Sequence, residues 1–440
     1  MSEAAAPTSG LQSLEVKRRH ILPKALVVGL VAGLIASGFR MALQYCELSR
    51  IAWIQRLPPV EGLAVALGVG ALGSGLGLWL VRRFAPETAG SGIPDLKAVV
   101  LGERQLHWRR VLPIKFLAGV LGIGGGLTLG REGPTVQMGG ATGIMVSTWF
   151  RVKRGEGERK ALISAGAAAG LAAAFNAPLA GLIFVLEELN GNFTPVVFVA
   201  SFLAAVTADV VCRIVTGETP VFALHGMPGP SLHALPVAAL LGVLAGFAGV
   251  AFNKSILLSL DLFERLKKWP PFAVGACAGL VVGLAAWIYP GMSGSGAVLT
   301  ERSLSGGIAV KWMVVLLAAR FVLTMVSYGC GAAGGIFAPL LVLGSLGGLA
   351  LGAGVHAFLP EWAVFPETFA VIGMGALFTS TVRAPLTAIV LMTELTGKYD
   401  FMLPLLVACF AAYGIAEGLG DKPIYEALRE RAASGRAERG

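Results

Sequence analysis

The chain has 440 residues, of which 55% are hydrophobic and only 14% charged, with a mean hydropathy of +0.74. Soluble domains carry about a quarter charged residues, so a soluble globular protein is excluded and a polytopic membrane protein is expected. The net charge of +9 does not point to nucleic acid, because the cations form short runs between apolar blocks, the pattern of cytoplasmic anchors.

In chain order, residues 1–24 read as a cytoplasmic N-terminal segment, with "KRRH" at 17–20 and no small-residue cleavage site after a short apolar core. Residues 25–215 form a first membrane repeat with apolar blocks such as "ALVVGLVAGLIASGF" and "FVASFLAAVTADVVC". Some blocks approach the ~20 residues that span a hydrocarbon core, and others are cut by Gly and Pro. A linker rich in Pro and Gly follows at 216–236, then a second membrane repeat at 237–420 and a C-terminal helix and cytoplasmic tail at 421–440. Both termini are expected on the cytoplasmic side. The five cysteines stand singly, without CxxC or a neighbouring histidine, so neither a metal site nor a disulfide framework is expected. Arg383 and Lys398 read either as pathway-lining residues or as snorkelling anchors at a membrane edge, with anchors favoured.

The halves are copies of one another. "AGSGIPDL" at 89–96 returns as "SGSGAVLT" at 293–300, and "GGGLTLGREGPTVQMG" at 124–139 returns as "GCGAAGGIFAPLLVLG" at 329–344. "NAPLAGLIFVLEELNG" at 176–191 returns as "RAPLTAIVLMTELTGK" at 383–398, which sets Glu187 on Glu394. Each motif has small residues, then Pro or a small residue, then an apolar run, which is how a helix starts. A helix start carries free N–H groups and about half a positive charge, a ready seat for an anion. In lipid such groups stay open only where they line a cavity or bind a ligand. "GSGIP" (90–94), "GREGP" (130–134) and "GIFAP" (335–339) therefore supply three candidate N-termini from both halves.

Charges at bilayer depth are costly, about 2.5–3.5 kcal/mol each on the lenient scale, and functional by default. Glu187 has its counterpart in Glu394, which suggests a shared structural role such as bonding to nearby helix ends. Glu132 instead aligns with Phe337, and Glu188 with Leu395. These two unmatched acids are the candidates for chemistry specific to one pathway. A carboxylate beside an anion seat imitates the anion when charged and vacates the seat when protonated, and a low-dielectric surrounding brings both states within reach. Few other titratable side chains are expected near these motifs.

"GSGIP", "GREGP", "GIFAP" and the tyrosine of "KPIYEAL", in that order, resemble the CLC chloride channels and chloride/proton antiporters over residues 25–433. The resemblance implies an all-α polytopic membrane protein of two inverted-topology repeats of short, tilted, broken helices, a homodimer in membrane lipid with one pathway per subunit. It implies that Ser91, Tyr425 and the amides of Ile336 and Phe337 hold a central chloride, with amides of Arg131, Gly133 and Ala338 around the gate. Glu132 would be the gating and outer proton-transfer residue, Glu188 the inner one, and Lys115 a supporting basic position. The implied activity is exchange of chloride for protons without metal or cofactor, in a bacterial inner membrane, with a passive chloride channel as the alternative. An enzyme is not expected, since no HExxH or Ser/His pairing appears.

Overall fold

The computed structural model describes residues 8–153, 157–218, 221–222, 224 and 229–437. Residues 1–7 of the expected N-terminal segment, part of the expected linker and residues 438–440 lie outside it. Among the described residues there are 17 helices and no strand. The first half runs α1 (Thr8–Arg56), α2 (Pro59–Phe84), α3 (Ile93–Val100), α4 (Trp108–Gly124), α5 (Glu132–Trp149), α6 (Gly157–Phe175), α7 (Pro178–Phe184) and α8 (Pro195–Thr216). The second half repeats the order with α9 (Leu235–Glu264), α10 (Pro271–Ile288), α11 (Ala297–Leu304), α12 (Val310–Gly329), α13 (Phe337–Phe358), α14 (Thr368–Val382), α15 (Pro385–Thr396) and α16 (Met402–Gly418). Last comes α17 (Ile424–Ala437). Helix α1 runs unbroken across residues 24 and 25, with Pro23 inside it, so no change of structure marks the end of the N-terminal segment.

Packing follows the repeat. Helix α1 packs on α8 as α9 packs on α16, α5 on α6 as α13 on α14, and α2 on α10 across the seam. Among the described residues eight segments are long and apolar enough to cross a bilayer. By contrast α3, α7 and α11 have 8, 7 and 8 residues, too few to span one. These short helices follow "GSGIP", "NAPL" and "SGSGA", whereas "GREGP" and "GIFAP" open the longer α5 and α13; a helix start at bilayer depth has to be kept from lipid by the surrounding protein.

Small residues make the close helix contacts that apolar burial alone does not drive in lipid. A Cβ on Gly139 of α5 would sit 2.0 Å from the Gly166 carbonyl of α6, and one on Gly344 of α13 would sit 2.4 Å from the Gly373 carbonyl of α14. These are the same contact in the two copies. Helices α6 and α14 are consequently buried over 161–175 and 368–382, the centre of the molecule.

Candidate functional site

The three glycine-rich loops are stitched together through their backbones. Gly130 and Gly335 exchange both N–H···O bonds, at 2.7 and 2.8 Å, while Gly90 N–H bonds to Ala332 and Gly334 N–H to Gly90, both at 3.0 Å. Helices α3, α5 and α13 thus begin side by side, from N-cap residues Gly92, Arg131 and Ile336. Two glycines are obligatory for that approach. Gly92 has φ +81° and a Cβ there would strike Gln137 at 2.2 Å, and a Cβ on Gly133 would lie 2.8 Å from that of Ser91. Ser91 therefore lies flat against the first turn of α5.

Glu132 is the first residue of α5 and only 3% exposed. Its Oε1 is 3.9 Å from Arg131 Nε, while Oε2 has no hydrogen-bond partner. A Cβ on Gly130 would lie 2.2 Å from that oxygen and 2.9 Å from the amide nitrogen of Ala338. The carboxyl group thus sits in the cleft between the "GREGP" and "GIFAP" loops, beside amides of both, with those of Glu132 and Ala338 acting on its charge. Phe337, the first residue of α13, has its ring packed on Phe378, Phe175 and Phe184 at centroid distances of 4.3, 5.3 and 6.3 Å.

Ser91 is buried, and its Oγ accepts the Ile93 N–H at 3.3 Å. Tyr425 is fully buried on α17, with a hydroxyl that has no partner. Electrostatically it is within range of Glu132 and Glu188, although no hydrogen bond or ion pair joins those two acids to one another. Sequence reasoning missed Tyr328 at the end of α12. A Cβ on Gly90 would lie 3.0 Å from its hydroxyl, which also contacts Ser91. The signal for it was the repeat itself, in which Tyr328 stands opposite Ile123. Below Ser91 and Tyr328 opens a cavity of about 570 Å³, rimmed by Glu87, Asp261 and Arg431.

Glu188, 6% exposed, lies in a π-helical turn, Val185–Asn190, that follows α7. It pairs with Lys97 of α3 at 2.9 Å, and Lys97 also reaches Glu426 of α17 at 3.5 Å. Titratable neighbours are therefore more numerous than the sequence suggests. The turn also corrects the register that sets Glu188 on Leu395. Ala177 and Ala384 are 207 residues apart, but the left-handed glycines that close the two segments, Gly191 and Gly397, are 206 apart. The first copy holds one extra residue, and a single insertion into an α-helix is what winds a π-turn.

The acids matched by the repeat cap each other's helices. Glu187 accepts the N–H groups of Leu386 and Thr387 at 3.2 and 2.8 Å at the start of α15, and Glu394 accepts those of Leu179 and Ala180 at 3.1 and 2.8 Å at the start of α7. Lys115, fully buried on α4, donates to the carbonyls of Thr88 and Gly90 at 2.9 and 2.7 Å and so braces the loop that presents Ser91. Arg383 is not a snorkelling anchor. It is buried after α14 and binds Asp421 at 3.4 Å, which Asn253 also holds at 2.7 Å. That clasp fixes the chain just before α17 and hence the position of Tyr425.

Residues 73–417 match the family described as voltage gated chloride channel. The chain is 41% identical over 418 residues to the H(+)/Cl(-) exchange transporter ClcA of Vibrio parahaemolyticus, covering 93% of this chain and 89% of that one. Its counterpart in Yersinia pestis is 39% identical over 418 residues, with 93% and 87% covered. Among solved structures, a slow cyanobacterial Cl-/H+ antiporter superposes with a TM-score of 0.90 at 36% identity, covering 94% of this chain and 98% of that one. A CLC-type fluoride/proton antiporter shares the fold, with a TM-score of 0.75 at 23% identity over 91% and 96% of the two chains.

Proposed function

The chain belongs to the voltage-gated chloride channel family of integral membrane proteins, and from that premise we propose that it is a secondary active transporter exchanging chloride for protons. The observation that carries the proposal is the Glu132 carboxyl group, buried with one oxygen unpartnered in a cleft between two helix N-termini. Such a cleft suits an anion, and a carboxylate fills it only while ionised. Chloride binds centrally against Ser91, Tyr425 and the amides of Ile336 and Phe337, with the amides of Arg131, Gly133 and Ala338 around the outer seat. On protonation Glu132 leaves that seat and chloride enters. When the side chain returns, its proton passes through water toward Glu188 and on to the other face. No metal or cofactor takes part.

All these residues come from one chain, so each subunit carries a complete pathway. We read the protein as a homodimer of such subunits in a bacterial inner membrane, both termini cytoplasmic.

Purified protein in liposomes tests the reading by paired chloride and proton fluxes. A chloride gradient should drive protons against their own gradient. Glu132→Gln and Glu188→Gln should each keep anion flux and lose proton movement. Chloride flux without proton movement in the unaltered protein would identify a passive channel instead.

A further inference from the structure

The loop after α10 repeats the loop after α2 in backbone and in side-chain chemistry. Gly294 and Gly296 have φ of +75° and +82°, as Gly90 and Gly92 have +62° and +81°. Ser295 Oγ accepts the Ala297 N–H at 3.3 Å, as Ser91 Oγ accepts that of Ile93. Arg320 of α12 donates to the carbonyls of Met292 and Gly294, as Lys115 of α4 donates to those of Thr88 and Gly90. The first loop belongs to the transport site proposed above. The second has no part in it.

What the second loop adds is buried positive charge in excess of its counter-charge. Arg50 of α1, 2% exposed, gives one N–H to Ser293 Oγ at 2.7 Å, while its Nε and Nη2 have no partner. Arg320, fully buried, has an unpartnered Nε. The acid beside them is Glu47, which accepts the Ser295 hydroxyl at 2.9 Å. A Cβ on Gly294 would lie 2.8 Å from Glu47 Oε1 and 2.9 Å from Arg50 Nη2; the Glu47 charge acts on both arginines, though it makes a close ion pair with neither. Two guanidinium groups against one carboxylate leave one positive charge, and an unpaired buried charge is strongly unfavourable unless a counter-ion joins it. The open first turn of α11 adds its own partial charge. Ala297 is exposed and Ser295 partly so, which gives an ion a way in.

The geometry points to a second anion site, separate from that around Ser91 and Tyr425, in which a monovalent halide is held at the start of α11 by the unpaired N–H groups of Arg50 and Arg320, beside Ser295, whose hydroxyl is donated to Glu47. Glu47 is also within electrostatic range of Arg131, the N-cap residue of α5 beside Glu132, so the site lies near the Glu132 gate. An inverted repeat turns equivalent loops toward opposite faces of the membrane, and the two loops accordingly receive anions from opposite sides.

Crystals of the full chain soaked in bromide over a range of concentrations test this by anomalous scattering. A peak is expected beside Ser295 and Arg50, in addition to any beside Ser91 and Tyr425. Arg50→Met should raise the bromide needed for half-occupancy of the α11 peak by about tenfold or more. Glu47→Gln, which removes the competing negative charge, should raise its occupancy at fixed bromide. No α11 peak in the unaltered protein, or one undiminished in Arg50→Met (an adventitious ion only), overturns the inference. Should Arg50→Met not fold, unchanged or lower occupancy in Glu47→Gln overturns it equally. Loss of the Ser91 peak with the α11 peak present would instead count against the transport site, so the two failures are distinguishable.

Discussion

Adding one methyl group at Gly130 should open the Glu132 gate without touching its charge. Gly130 is not in the left-handed region, so alanine fits its torsion angles, both bonds to Gly335 involve main chain only, and the added Cβ, 2.9 Å from the Ala338 amide nitrogen, also pushes the two loops slightly apart on the outer seat. The new Cβ would lie 2.2 Å from Glu132 Oε2, whereas packed heavy atoms rest about 3.5 Å apart. The carboxyl group must retreat by about 1 Å, and overpacking of this kind costs about 1–3 kcal/mol. Since 1.4 kcal/mol is about tenfold in an equilibrium constant, the seated state should lose about 5- to 150-fold in population. In liposomes Gly130→Ala should therefore move chloride with several-fold fewer protons per anion, partway toward Glu132→Gln. Gly414→Ala, where a Cβ meets open space, serves as control. Folded Gly130→Ala with an unaltered proton-to-chloride ratio would show that the seat between Gly130 and Ala338 does not hold the gate.

Three further outcomes follow from other contacts. Glu394→Ala leaves the Leu179 and Ala180 N–H groups without their acceptor and should cost about 1–3 kcal/mol, read as a lower Tm in detergent, with Glu394→Gln losing less; an unchanged Tm would refute the cap. Tyr328→Phe should weaken chloride binding about 2- to 10-fold in calorimetric titration, and an unchanged Kd would remove its hydroxyl from the site. Glu426 has its carboxyl group held below the ordinary range, first by Arg429 and then by Lys97. Its folded-state pKa is thus below the unfolded value of about 4.3, so its contribution is complete above that pH and lost as pH falls through the folded value. The stability difference between the unaltered protein and Glu426→Gln should accordingly close below about pH 4, and a constant difference from neutral to acid pH would contradict the pairing.

The parts of this molecule that sequence conveys are those written in local chemistry. Gly and Pro at 90–94, 130–134 and 335–339 mark where helices must start, because backbone geometry there admits little else. The repeat then indicates which loops correspond. What sequence does not convey is which distant side chain turns toward a loop. Tyr328 reaches Ser91 from the far end of α12, Lys97 reaches Glu188 across 91 positions, and Arg383 reaches Asp421 across 38. Nothing in "SYGC" or "TVRAP" distinguishes a buried clasp from a membrane-edge residue, since both put a long polar side chain beside an apolar run. Tertiary packing decides that difference.

The repeat also separates what holds the protein together from what it is proposed to do. Glu187 and Glu394 are equivalent and perform one task in both directions, each closing the other half's helix start. A symmetric pair of this kind treats the two sides of the membrane alike and cannot give a pathway direction. Both proposed proton carriers arise where equivalence fails, and by different routes. Glu132 is a substitution, a carboxylate where the second copy has the Phe337 ring clustered with Phe175, Phe184 and Phe378. Glu188 lies in an insertion, the π-turn Val185–Asn190 by which the first copy is one residue longer while α15 continues regularly to Thr396. That turn sends adjacent carboxylates to different partners, Glu187 to the start of α15 and Glu188 to Lys97 on α3. Deleting Glu188 should restore the regular helix of the second copy and abolish proton movement while Glu187 still caps α15, whereas Glu188→Gln keeps the π-turn and removes only the titrating group. If both variants lose proton coupling and keep chloride flux, the acid rather than the turn is what matters. Loss of chloride flux in the deletion alone would assign the π-turn a structural part in the anion pathway.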